Sequence, residues 1–205
     1  MRGSANSLEN SSFGRTASCR SCAEKTEARA AVPPLAKMPG MDVLVEFFRH
    51  NTMMNRRLME ACRQLPPEQL GATATGTYGS IGATLVHIAN SQESYAARLL
   101  DTERPERLPE DPFPGFDALA ERFAHGDAQL EEAATQAGQD RKVRVTGDDP
   151  PGTWLMPVSL FLLQAVNHAT EHRSQVATIL TELGVEPPEM DGWTYFFASG
   201  KLIEV

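Results

Sequence analysis

Cysteine is scarce in this chain: three among 205 residues, an odd number. That excludes a disulfide framework and makes a reducing cytoplasm the expected location. No apolar run approaches the length that a membrane-spanning helix needs, so no membrane partner is expected. Basic residues are outnumbered, 19 against 27, for a formal net charge of −8. Nothing in bulk neutralises phosphates, which argues against nucleic acid as a partner. The devices of several common chemistries are missing too. There is no glycine-rich phosphate loop followed by a helix, and no serine in a nucleophile elbow. Aromatic and basic side chains do not interleave as on a nucleic-acid platform. What is present is a globular balance, 41% hydrophobic and 22% charged residues, in a chain long enough for one domain with a real core.

The charge is unevenly spread. Residues 1–40 carry six basic and three acidic side chains, for +3, which leaves −11 for the remainder. This segment is rich in Ser, Arg and Ala and has no hydrophobic period, so a disordered extension is expected over 1–40. It lacks the apolar core of a secretory signal. Cys19 and Cys22 form a lone CxxC there; without a second pair or a following helix the motif has little metal or redox specificity.

From residue 41 onward, apolar residues recur at threes and fours in four stretches. The first runs from Met41 to Leu65 with a stripe of Leu44, Phe47, Phe48, Asn51, Met54, Leu58 and Cys62, and Pro66-Pro67 stops it. A glycine- and threonine-rich loop, 71–79, leads to Ser80, a good N-cap for a helix from Ile81 to Thr102. Its seam is Ile81, Thr84, Leu85, Ile88, Gln92, Tyr95 and Leu99, with His87 at the edge. A proline-rich connection precedes a third helix, Phe116 to Ala137, in which His125 falls off the apolar stripe and is expected to be exposed. Arg141–Thr146 alternates charged and apolar residues, Asp148–Gly152 is a turn, and Thr153–Met156 reads as a returning strand. This predicts a small hairpin before the last helix. That helix begins near Pro157 and ends at Leu183, with Gly184 at the C′ position. The aromatic tail, Trp193 to Phe197, either packs back on the bundle or forms a dimer contact.

The fourth helix carries the chemistry. Its inward stripe is Phe161, Ala165, His168, His172, Val176, Ile179 and Leu183, so imidazoles occupy two positions where apolar residues belong. At i and i+4 both rings lie on one face, one turn apart. Such a pair holds a metal if a facing helix supplies a third ligand; the plainer reading is two hydrogen-bonded core histidines. His87 alone reads as a core histidine and gains weight only because the pair needs a partner. His168-Ala-Thr-Glu171-His172 also matches the H-x-x-E-H protease signature. That reading is poor, because Glu171 is off the stripe and only 33 residues remain to supply a further carboxylate ligand on a later helix.

The run Asn167-His168-Ala-Thr-Glu171-His172-Arg-Ser-Gln175-Val176, followed by Leu183-Gly-Val-Glu-Pro-Pro188, resembles the last helix of the DinB-like superfamily. Phe48–Leu58 is similar to its first helix and Thr84–Ile88 to its second. The resemblance covers Met41 to Pro188. It implies an all-α fold, a four-helix bundle, over a domain at 41–205. It further implies one divalent metal ion, zinc or nickel, held by His87, His168 and His172, with other positions open to water or substrate. Relatives with known activities include transferases and isomerases of low-molecular-weight thiols, and many form homodimers. The implied function is therefore a metal-dependent thiol transferase or hydrolase acting on a small molecule. The alternative is a non-catalytic, stress-related bundle that acts by binding. Gln175, Asn51 and Glu171 are candidates to orient the ligands or touch substrate. Ser174 stands where relatives often have glycine, and Glu171 where they often have another polar residue or histidine; neither removes a ligand.

Overall fold

The structure is a computed structural model, and it describes residues 43–136, 141–148 and 151–201. The expected extension over 1–40, with Cys19 and Cys22, lies outside the described residues. Four long helices follow the four periodic stretches: α1 (Val43–Arg63), α2 (Ile81–Leu100), α3 (Phe116–Thr135) and α4 (Val158–Glu182). A single 3-10 turn, Pro67–Gly71, follows α1, and a short α5 (Gly192–Ser199) ends the chain. The expected hairpin is present as β1 (Lys142–Asp148) and β2 (Pro151–Pro157), antiparallel, with Val143 opposite Met156 and Val145 opposite Trp154. Val143 is buried against the bundle, as its place on the apolar side of the strand requires.

Local chemistry sets the boundaries. The Ser80 side chain accepts a hydrogen bond from the Ala83 backbone N–H at 3.2 Å, capping α2. At the other end of that helix Asp101 adopts a left-handed conformation (φ 56°) and stops it short of the expected Thr102. Pro157 precedes α4, and Gly184 (φ 73°) turns the chain away after it.

Each of α1 and α2 packs against both α3 and α4, so the consecutive pair α1 and α2 lie across a diagonal of the bundle. The core has two apolar halves. One gathers Leu58, Cys62, Ile81, Leu85, Leu119, Phe123, Val176 and Leu180. The other gathers Phe48, Leu99, Leu130, Val158, Phe161 and Ala165, with Val143 from the hairpin. Between them on α1, α2 and α3 sits a polar layer of Asn51, Asn55, Gln92 and Asp127, all buried.

One expectation is corrected here. Leu44 and Phe47 do not belong to the core stripe of α1: they are 37% and 52% exposed, while Val45 is buried. The stripe through Phe48, Met54, Leu58 and Cys62 extends back to Val45, and Phe47 instead faces a cavity shared with Tyr195 and Phe196 of α5. On α3, His125 is 48% exposed as expected, but its neighbours Gly126 and Asp127 are buried. Glycine lets α2 and α3 approach closely there: a Cβ at 126 would meet Glu93 Cγ at 3.3 Å and Gln92 Cβ at 3.4 Å, a tight contact.

The aromatic tail packs back through one residue. Tyr195 is buried, and its hydroxyl donates to Glu46 at 2.6 Å, while Trp193 and Phe197 stay about 70% exposed (70% and 72%). Among the described residues, no helix is long and apolar enough to cross a membrane.

Candidate metal centre

His168 and His172 project from one face of α4, as their spacing demands, toward His87 on the adjoining α2. Their ring centroids are 4.4 Å apart, and His87 lies 5.0 Å from His168 and 4.8 Å from His172. One ligand atom from each can be chosen so that all lie within 4.8 Å of one another. The Nε2 atoms of His87 and His168 face each other at 3.1 Å. Two tetrahedral ligands at the usual zinc–nitrogen distance stand about 3.3 Å apart, so this edge already has the spacing of a shared ion. The donor set, three neutral imidazoles, suits zinc or nickel.

The second nitrogens differ in their surroundings. His172 Nδ1 donates to Gln175 Oε1 at 2.9 Å, so in the neutral ring the lone pair lies on Nε2. The same amide oxygen accepts the Tyr78 backbone N–H at 3.1 Å. His87 Nδ1 lies 3.4 Å from a carboxylate oxygen of Glu110. His168 Nδ1 is buried and meets no hydrogen-bond partner among the described residues. Burial, then the neighbouring His172 and His87, pushes the His168 pKa down to about 4, and burial with His172 lowers that of His87. Both rings are thereby held in the neutral form that a metal requires.

Tyr78 and Glu110 were not singled out by the sequence. The Tyr78 ring stacks on His87 at 4.0 Å, and its hydroxyl donates to Glu110 at 3.0 Å. Both residues lie in connections without periodicity, one in the glycine-rich loop and one in the proline-rich segment. Only the fold brings them to the histidines.

Of the three residues suspected around the ligands, Gln175 bonds directly to a histidine. Glu171 is exposed on α4, where the protease signature would need it at the ligands. Asn51 belongs to the polar layer, bonded to Gln92 at 3.2 Å and to Arg173 at 2.6 Å. Arg173, next to His172, is a buried cation that periodicity did not mark. It donates to Asn51, to Asn55 at 2.8 Å and to Thr170 at 3.0 Å, and burial lowers its pKa to about 10. The layer ends at Asp127, which accepts from Gln92 at 2.8 Å and Asn55 at 3.2 Å. Burial raises that carboxyl to about 6.

A helical bundle with a hairpin before its last long helix and three imidazoles converging from two helices defines a class of candidate metalloprotein. The DinB family model matches residues 38–201, and the chain belongs to the DinB family. A crystal structure of a DinB-like protein from Bacillus cereus is similar to it with a TM-score of 0.56 at 17% sequence identity. The match covers 71% of this chain and 94% of that one, and at such identity it shows the fold. No curated protein matches the chain.

Proposed function

We propose that the chain binds one divalent ion, zinc or nickel, through His87, His168 and His172. In this reading it is a metal-dependent transferase of a low-molecular-weight thiol to an electrophile, with hydrolysis as the neighbouring chemistry. The observation that supports the reading is the convergence of three imidazoles, with ligand atoms within 4.8 Å, from two helices of the bundle. An ion bound there lowers the pKa of a coordinated thiol or water and so supplies a nucleophile at neutral pH. The chain itself orients the ligands. Gln175 fixes the tautomer of His172, Glu110 stands at the outer nitrogen of His87, and the Tyr78 ring covers His87 from one side. A homodimer belongs to the same reading, supported by the exposed Trp193 and Phe197 on α5.

Elemental analysis of untagged wild type and of His87→Ala tests this. About one ion per wild-type chain, lost in the variant, is the expected result. No metal in either protein overturns it and leaves a non-catalytic bundle with hydrogen-bonded histidines.

A further inference from the structure

One turn beyond the histidines, a cleft of about 480 Å³ opens between α2, the hairpin and α4. That volume lies within the roughly 300–1,000 Å³ of small-molecule sites. Its position follows from helical spacing: Ser91 is four residues after His87, and Gln164 four residues before His168. Tyr95 is the shared wall, edge-on to His168 at 5.8 Å and to Phe161 at 6.4 Å. The lining has two kinds of surface. Val145, Met156, Leu160 and Phe161 are apolar, and Leu160 remains 44% exposed. Arg98 and Arg107 supply two guanidiniums.

Among the described residues the two arginines have one ion-pair partner between them. Arg98 donates to the Ser94 carbonyl at 3.0 Å and to the Ser94 hydroxyl, and among the described residues it has no carboxylate within ion-pair distance. Arg107 reaches only Glu110, at 3.4 Å, and Glu110 is shared with His87 and Tyr78. Two guanidiniums thus line one cleft in a chain whose net charge is −8. An unpaired guanidinium and a second that shares its carboxylate, beside an apolar wall, suit an organic anion.

We propose that this cleft binds the carboxylate-bearing, partly apolar end of the substrate, with Arg98 and Arg107 pairing the carboxylate and Tyr95 leading toward the histidines. The proposal rests on the metal-centre reading for the reacting end of that substrate, but the anion site stands on its own residues. It narrows the substrate class to a small organic acid with an apolar body.

The probe is 3-phenylpropanoate, with 3-phenylpropanamide as its neutral isostere, each titrated calorimetrically into the full chain with and without EDTA treatment. Binding of the acid at least tenfold tighter than the amide is expected, unchanged by EDTA and at least tenfold weaker in Arg98→Gln and in Arg107→Gln. Arg107 is exposed and Arg98 partly so, and circular dichroism checks that both variants keep the fold. Equal binding of acid and amide, unaffected variants, or no binding overturns the proposal. Loss of binding on EDTA treatment also overturns it, because the carboxylate would then sit on the metal. Arginine-dependent, EDTA-insensitive binding in a wild type that carries no metal upholds the anion site while the metal reading falls.

Discussion

Replacing Arg173 by methionine is expected to destabilise the fold by about 4 kcal/mol, although the new side chain fills much of the same space. Arg173 is 2% exposed, and its guanidinium is the donor to the side-chain oxygens of Asn51 at 2.6 Å and Asn55 at 2.8 Å. Without it two buried acceptors lose a partner, each at a cost of about 1–3 kcal/mol. Asp127, whose Oδ2 is buried without a partner among the described residues, also loses the cation that favours its charged form. In a domain of this size the loss corresponds to a fall in Tm of roughly 12 °C. The pH dependence supplies the sharper test. In the folded protein burial raises Asp127 to about 6, from an ordinary 3.8. A raised carboxyl binds its proton more tightly when folded, so its contribution is fully present below about pH 4 and is lost as pH rises through about 6. That is about 3 kcal/mol across the window. Removing the guanidinium raises this carboxyl further, so the variant loses more stability, relative to wild type, at pH 8 than at pH 5. Arg173 also helps burial to hold the His50 pKa down, so its removal relieves that ring at pH 5 and moves the difference in the same direction. Urea unfolding of EDTA-treated wild type and Arg173→Met, followed by circular dichroism at both pH values, measures it. A loss below 1 kcal/mol, or the same loss at both pH values, would refute the account of a charge-coupled polar layer.

Two further outcomes are expected. Gln175→Ala frees the His172 ring to change tautomer and lowers metal affinity about 10- to 100-fold, read by competition against a chelating dye; unchanged affinity would deny Gln175 its positioning role. Ser80→Ala removes the cap on the Ala83 N–H and costs about 1 kcal/mol, a fall in Tm of roughly 3 °C by calorimetry. An unchanged Tm would mean that solvent replaces the cap at no cost.

Helical periodicity reports which residues of one segment share a face, and here it was enough to give the four long helices and the histidine pair on α4. Alternation gave the hairpin, because Val143 and Val145 must face inward together. The resemblance carried by the His168–Val176 run supplied His87 as the third member, which spacing alone left as a core histidine. What periodicity does not encode is which face meets which. Leu44 and Phe47 carry the right chemistry for a core stripe, yet packing rotated α1 so that Val45 took that place. Asn51 and Gln92 stood out as polar residues on apolar seams, but Arg173, the donor to Asn51 and Asn55, is of a residue type that is ordinarily exposed. Only the meeting of four helices turned it into a buried cation. Tyr78 and Glu110 lie in connections where no repeat constrains a side chain. Their contact with His87 follows from how those connections are routed over the bundle, and tertiary structure alone decided it.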